Sequence, residues 1–541
     1  MQVHADTIIL CGGEIDFYHL PVSSNTSKSM IPVNGKPVIG WILDDLLEKQ
    51  IQSAIIVLRS KDHTLTEFLE RVYKSRMSLN LVKLDSSDSI VYSLKKGLEQ
   101  VRYSKVRVIL GDTLIKDSFD LTENFVYLHE VIDSHRWCLA RYNGDRIITE
   151  YFEKIPDAPL PHETLCGFYA FQDSKHLEVQ TEQCLAEGKK QISDVLSAYQ
   201  ISYPIKARTA TQWFDFGNMD NLVAAKQKLL QSRYFNTLTV DPVLNTITKV
   251  SEFDQKLQDE LNWYESLPDK LKVVAPRIIS KEQVNGKLNL VTEYYGYPTL
   301  AELYLYSDIH PETWQSIINR LMLLHQSLVE FKGNLSEEDF MEVYVHKTLD
   351  RVKNLLDKDE SWQEIFSYEH ILCNGNLLLN YPALEEKIIT TAKRLCQNYN
   401  TSIIHGDFCF SNILYDLNSH IIRLIDPRGS FGKKGIYGDP RYDIAKLRHS
   451  ISGSYDFIVA DLFEINQINN SFEITIFAKK ESYRLEAMFD ESIQKRGYNV
   501  KEIKFIEGLL FISMMPLHQD KPLRQKAMFL TGLTRLNKVL T

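Results

Sequence analysis

Residues 405–414 read HGDFCFSNIL, and twelve residues beyond Leu414 a lone acid closes an apolar run in Leu424-Ile425-Asp426-Pro427. This spacing constrains the chain more than any other feature. A carboxylate, Asp407, is followed five residues on by an amide, Asn412, and then by a second carboxylate, Asp426. The intervening HIIRLI (420–425) is apolar and β-branched, which predicts a short buried strand. Phosphoryl transfer from ATP calls for such a set. It needs an acid beside the attacking hydroxyl and oxygen ligands that hold Mg2+ on the phosphates. On that chemistry Asp407 is the candidate base, and Asn412 and Asp426 are candidate metal ligands. A lone HGD reads as a turn; the Asn at +5 and the strand ending in Asp carry the stronger reading.

Together these residues resemble the catalytic and metal loops of the aminoglycoside phosphotransferase and choline kinase family, small-molecule kinases with a protein-kinase-like fold. The downstream GIYGDPRYDIAKL (435–447) extends the resemblance, because the family places a GDP-x-x-D motif there. By that resemblance Asp443 braces the catalytic loop, although an acid facing a helix dipole would look the same. Upstream, residues 245–251 are strand-like and residues 253–267 form an amphipathic helix. In kinase-like folds a strand lysine reaches the ATP phosphates and pairs with a helix glutamate, which makes Lys249 and Glu260 the candidates. Asn285-Gly286 signals a hairpin, and the strand returning over 288–295 leads to Tyr297-Pro298-Thr299-Leu300, similar to the hinge that receives adenine. Residues 311–541 read as mostly helical by period, with Trp314 and Trp362 as core.

The N-terminal region carries a different pattern. An apolar run over 7–11 enters Gly12-Gly13, followed by SKSMIPVNGKPVI (27–39), a helical stretch over 40–49 and a second apolar run over 53–58. Strand, glycines, loop, helix and strand in that order predict a parallel α/β sheet with a ligand site at the strand ends. A further buried strand over 106–110 ends in Gly111-Asp112, and CGFYAF (166–171) and WFDFGNMDNL (213–222) come later. Over about residues 5–230 these landmarks resemble the nucleotidyltransferases that join a nucleoside triphosphate to a sugar 1-phosphate or similar monoester. The resemblance implies that Lys28 contacts the phosphates, with Ser27 where the family motif has proline. It implies Mg2+ ligands at Asp112 and Asp215, and a nucleotide-binding turn at Gly12 and Gly13. Lysine and Mg2+ would neutralise phosphate charge as pyrophosphate leaves. The chain departs from the family in two places. Glu14-Ile15-Asp16-Phe17 stand where a G-x-[GT]-[ST]-R loop is usual, with no arginine before Arg59, and DSSDSIVYSL (85–94) lacks the usual glycine.

The expected architecture is therefore an α/β Rossmann-like nucleotidyltransferase domain over 1–232, followed by an α+β, two-lobed protein-kinase-like domain over 240–541. A helix over 220–231 leads into the joint. At 541 residues each part can bury a full core. The net charge of −9 argues against a chain that coats nucleic acid. With no apolar run of eighteen residues, neither a membrane helix nor a signal peptide is expected, which suggests a cytoplasmic protein. Seven scattered cysteines without a C-x-x-C pair suit reduced thiols and offer no zinc site. Two phosphate-handling parts suggest consecutive steps with ATP, Mg2+ and a second NTP (CTP or UTP). A small sugar, polyol or amino alcohol would be phosphorylated and then activated as a donor for surface polysaccharide. Three alternatives stay open: a kinase with a degenerate N-terminal domain, a transferase with a pseudokinase, and a nucleotide-sensing scaffold. The acceptor, the NTP base and a homo-oligomeric state are left open as well.

Overall fold

Strands buried on both faces are written as continuous apolar runs, and the central strands of the first sheet are such runs. In the computed structural model Asp6–Leu10 lies between Ser53–Arg59 and Val106–Leu110, parallel to both, and Ser78–Leu84 extends the sheet beyond Ser53–Arg59. Glu163–Phe171 joins antiparallel to Val106–Leu110 and connects to the remaining strands, giving nine in all. Helix Ile90–Leu98 buries Val91 and Leu94 against Ile8 and Val57 of the sheet. Each such side chain contributes about 1.5–3 kcal/mol when fully removed from water. The structure describes residues 4–13, 26–132, 134–156, 160–217, 219–229, 236–252, 254–397, 399–478 and 482–541. They form two compact units: Met1–Leu229 with Tyr306–Asp308, and Leu230–Leu305 with Ile309–Thr541.

The second unit opens with an antiparallel sheet in the order Asn236–Asp241, Thr246–Ser251, Lys287–Glu293, Ile278–Val284. Asn285 (φ 52°) and Gly286 (φ 76°) close the last hairpin, as the Asn-Gly signal requires. Helix Asp254–Ser266 follows, with Leu257, Leu261 and Tyr264 buried. Helices Pro311–Val329, Tyr381–Gln397, Pro440–Ile451, Val500–Met514 and Pro522–Leu540 make most of the rest. Trp314 and Trp362 are buried.

The helical reading of 311–541 needs one correction. Four strands form a second antiparallel-rich sheet there, in the order Asn376–Leu379, His370–Cys373, Ser471–Ile476, Phe463–Ile468. Its strands are short, and its turns rest on left-handed residues at Asn374, Gly375 and Asn469. Among the described residues no helix is long and apolar enough to cross a membrane.

Candidate active sites

In the first unit, a cavity of about 260 Å3 opens at the carboxyl ends of the parallel strands, lined by Gly12, Gly13, Lys28, Ser87, Ser89 and Asp112 among others. Ser27 holds φ −60° and ψ 144°, a backbone that proline would share, so Ser27 keeps the chain path that delivers Lys28. Gly13 sits against the Lys28 stem; a Cβ there would stand 3.2 Å from Lys28 Cδ. Lys28 Nζ lies 3.8 Å from Asp112 Oδ2.

Asp215 arrives on strand Trp213–Asp215, antiparallel to Thr113–Ile115, and the Phe216 N–H donates to the Asp112 carbonyl at 3.1 Å. The two carboxylates converge: the point a Gly217 Cβ would occupy is 3.4 Å from Asp215 Oδ1 and 3.9 Å from Asp112 Oδ2. Burial, and then the Asp112 charge, push Asp215 up to about 6, against the pull of the Asn221 amide, the Gly217 N–H and Lys28. Two crowded carboxylates facing a single lysine suit a divalent cation that also takes phosphate oxygens. Mg2+ is usually held by one or two carboxylates plus phosphates rather than by a full protein cage. Among the described residues no group of three or more His, Cys, Asp or Glu side chains is gathered for a metal.

The segment that lacks the usual glycine still reaches the cavity. Ser89 caps helix Ile90–Leu98 by accepting the Tyr92 N–H at 3.1 Å, and the Ser87 and Ser93 hydroxyls meet at 2.7 Å. Residues Ser87–Ile90 line the cavity, so the N-terminal end of this helix borders it. Glu14-Ile15-Asp16-Phe17 lie outside the described residues.

In the second unit, the candidate catalytic segment runs from strand Ser402–Ile403 through a 3-10 turn, Phe410–Asn412, into strand Ile413–Tyr415, which pairs antiparallel with Ile422–Leu424. The predicted strand over 420–425 is shorter, and His420 belongs to its turn, with φ 57°. Asn412 Nδ2 donates to Asp407 Oδ2 at 2.9 Å and to the Asp407 carbonyl at 3.0 Å, leaving Asn412 Oδ1 with one long 3.5 Å contact from Ser411. The Ile425 N–H donates to the Asn412 carbonyl, which sets Asp426 beside it. Asp426 has φ 56°, a left-handed backbone that aspartate tolerates and that recurs at functional turns. Lys249 bridges Glu260 at 2.6 Å and Asp426 at 2.5 Å, so strand lysine, helix glutamate and candidate metal-ligating aspartate meet in one network. Burial pushes Glu260 up to about 7, relieved by Lys249; the two acids hold Lys249 charged despite its own burial.

The loop is braced from behind. Asp443 is fully buried, and its carboxylate accepts the His405 N–H at 2.7 Å and the Gly406 N–H at 2.9 Å. The acid that caps its helix, Pro440–Ile451, is Asp439, so Asp443 spends its oxygens on the loop rather than on the helix end. Burial pushes Asp443 up to about 7, against those two donors. Trp263 of the Asp254–Ser266 helix donates its indole N–H to the Ile404 carbonyl at 2.7 Å. Gly406 (φ 77°) packs against Arg428, where a Cβ would stand 2.7 Å from Arg428 Cβ.

The sequence reading missed Lys446. Its ammonium lies 2.7 Å from Asp407 Oδ1. Burial alone would raise the Asp407 carboxyl, but Lys446 outweighs it and holds the group well below the usual carboxylate range. The signal was available: Lys446 is three residues after Asp443 on one helix, hence on the same face.

Residues 6–232 match the family described as nucleotidyl transferase, and residues 226–461 match the phosphotransferase enzyme family. The chain joins a nucleotidyl transferase domain to a phosphotransferase domain. Its first part is similar to the low-salt glycan biosynthesis nucleotidyltransferase Agl11 of Haloferax volcanii, 22% identical over 225 residues, 39% of this chain and 63% of the relative. It is also similar to the bifunctional protein GlmU of Methanocaldococcus jannaschii, 23% identical over 230 residues, 42% of this chain and 54% of the relative. The glucose-1-phosphate thymidylyltransferase of Mycolicibacterium smegmatis is 22% identical over 233 residues, 40% of this chain and 80% of the relative. The chain spans a little over half the length of the first two relatives. Both matched families are families of enzymes, and both folds, Rossmann-like and kinase-like, are those expected.

Proposed function

We propose that the second unit phosphorylates a small hydroxylated metabolite with ATP and that the first unit transfers a nucleotidyl group from a second NTP, CTP or UTP, onto the new phosphate. The observation that supports this best is the meeting of Asp407 with Asn412, and of Lys249 with Glu260 and Asp426, in a phosphotransferase-family domain. The acceptor oxygen attacks the γ-phosphorus, the bond to ADP breaks, and the hydroxyl proton passes to Asp407. Held well below the usual carboxylate range, Asp407 is a weak base. Its work is to accept the hydroxyl's hydrogen bond, aim the oxygen, and take the proton late, once the O–P bond is forming. Lys249 clamps the ATP phosphates, and Asn412 and Asp426 hold Mg2+, which when bound screens the phosphate charge.

In the first unit an oxygen of the phosphorylated product attacks the α-phosphorus of the NTP and pyrophosphate leaves. Lys28 neutralises the phosphates, Asp112 and Asp215 hold Mg2+, and Gly12 and Gly13 let the nucleotide approach the backbone. Two of the relatives are named as a glycan biosynthesis nucleotidyltransferase and a glucose-1-phosphate thymidylyltransferase, which supports an activated donor, here proposed to serve surface polysaccharide synthesis in the cytoplasm. The test reads ADP and pyrophosphate separately over a panel of sugars, polyols and amino alcohols, with their acid and phosphate derivatives. ADP followed by pyrophosphate with one acceptor is the expected result. Asp407→Asn should stop ADP formation, and Asp112→Ala should stop pyrophosphate release while ADP formation continues. Loss of both activities in either folded variant, with the phosphorylated product supplied for the pyrophosphate assay, would refute separate sites. ADP alone with every NTP and with the phosphorylated product supplied would assign the first unit a binding role.

A further inference from the structure

Around Asp407 the second unit gathers more positive charge than its own carboxylates answer. Helix Lys347–Leu356 carries Lys347 and, one turn on, Arg351. Arg351 gives Nη1 to the carbonyl and the hydroxyl of Ser513, both at 3.0 Å, next to Met514, whose sulfur lies 3.7 Å from Lys446 Nζ. Arg428 follows the metal loop, lies along Gly406 and donates to the Tyr442 hydroxyl at 2.9 Å. Lys347 stands within electrostatic reach of Arg428, Arg351, Lys446 and Asp407. Basic groups from three separate elements thus cluster about Lys347, and one of them, Lys446, pairs with Asp407.

Among the described residues Lys347, Arg351 and Arg428 form no ion pair, whereas nearby Arg441 is tied to Asp439 and Glu502. Burial, and then the charges of Arg428, Arg351 and Lys446, push Lys347 down to about 6. That is the signature of repulsion left for a ligand to relieve. The ATP side of the site has its own lysine, Lys249, already bound to Asp426 and Glu260. The crowded cations meet Asp407 by other contacts: Lys446 pairs with its Oδ1, and Arg428 lies along the neighbouring Gly406.

We propose that the phosphoryl acceptor is an anionic alcohol, its carboxylate or phosphate held by Lys347, Arg351 and Arg428 while its hydroxyl faces Asp407. This rests on the phosphotransferase reading above and narrows it, setting aside amino alcohols and neutral polyols. The planar guanidinium groups suit a carboxylate or phosphate, and Lys347 adds a point charge.

The test uses two matched series on the full chain with Mg2+ and ATP: glycerol, glycerate, glycerol 3-phosphate and 3-aminopropane-1,2-diol; then glucitol, gluconate and glucitol 6-phosphate. ADP release and isothermal titration of each compound are read together. An anionic member should exceed its neutral partner in kcat/KM by about tenfold or more, and whether it is the acid or the phosphate names the source. Lys347→Met and Arg351→Met should raise the KM of that anion by about tenfold or more while the KM for ATP stays within about twofold, and Lys347→Arg should rescue. Preference for glycerol, glucitol or the aminodiol overturns the inference and leaves the phosphotransferase reading standing. So does a rise in the KM for ATP alone, which would assign these cations to the triphosphate. Absence of ADP with every compound would count against the phosphotransferase reading instead. In that case anion binding to wild type, lost in Lys347→Met, sustains the site, and absence of anion binding ends it.

Discussion

The helix that braces the catalytic loop is itself anchored by a buried charge, and removing that charge should have a calculable cost. Arg448 is fully buried on helix Pro440–Ile451, one face round from Asp443 and Lys446. It reaches Asp490 at 2.8 Å, Glu486 at 2.6 Å, and Glu507, which is as buried as itself. Burial would discourage its charge, but the three acids outweigh that and hold it firmly protonated. Arg448→Met keeps most of the volume and, among the described residues, leaves Glu507 with only Arg535, 3.6 Å away, as a cation. Breaking a buried pair costs about 3–5 kcal/mol, whereas part-exposed pairs are worth about 1 kcal/mol or less. Glu486 and Asp490 are 28% and 18% exposed, so the Glu507 term dominates and the expected loss is about 4 kcal/mol. A domain's whole stability is about 5–15 kcal/mol, so this is a large share. Because two units unfold in one chain, the assay is hydrogen exchange of peptides from helices Pro440–Ile451 and Val500–Met514. Their slowest amides should exchange about a thousandfold faster in Arg448→Met. Adding Glu507→Gln removes the stranded charge and should recover about half of the loss in free energy, roughly 2 kcal/mol. Exchange within about tenfold of wild type, or a double variant no slower than the single one, would refute the reasoning.

Asp443→Asn should lower kcat by about a hundredfold or more with little change in the KM for ATP, because an amide can satisfy only one of the two loop N–H groups; an unchanged kcat would remove its bracing role. Asp456 is buried, its Oδ2 has no hydrogen-bond partner, and burial pushes its carboxyl up to about 7. Between the ordinary value of about 4 and 7 the folded state therefore keeps a proton that the unfolded chain has lost, so stability falls as pH rises through that window. Asp456→Asn should reduce that fall by up to about 3 kcal/mol, measured by urea titration at pH 5 and pH 8; an unaltered slope would refute the assignment. Gly429 (φ 64°) and Gly375 (φ 77°) share a left-handed backbone, but a Cβ at Gly429 would stand 2.1 Å from the Asp259 carbonyl oxygen while Gly375 faces open space. Gly375→Ala should cost about 1 kcal/mol and Gly429→Ala several times more, with equal thermal shifts as the contrary result.

Much of this was legible because the chemistry is local in sequence. Asp407, Asn412 and Asp426 lie within twenty residues, Lys249 and Glu260 within eleven, and the strands and helix joining each pair are short and strongly patterned. The parallel strands at Asp6–Leu10 and Val106–Leu110 were legible for a related reason: burial on both faces leaves no alternation to misread. The sheet at His370–Cys373 and Asn376–Leu379 was hidden by its brevity. Four-residue strands with mixed burial cannot compete with a helical period, although Asn374-Gly375 carries the same hairpin signal that marked Asn285-Gly286.

The cations around Asp407 were not legible for a deeper reason. Lys347 and Arg351 sit in KTLDRVKNLL, which reads along the chain as the solvated face of an ordinary amphipathic helix. Nothing in that stretch announces that its first turn stands beside a loop sixty residues later. Arg428 reads as the end of a metal loop, and Lys446 as a helix surface lysine. Only packing of helix Val500–Met514 against both Lys347–Leu356 and Pro440–Ile451 brings Arg351 to Ser513 and Lys446 to Met514. Hence a net charge of −9, which properly argues against coating nucleic acid, carries no information about the sign of a pocket. The site's charge is a property of which helix ends meet. That is why the acceptor stayed open in the sequence, and why the proposal of an anionic acceptor rests on how the helices are placed.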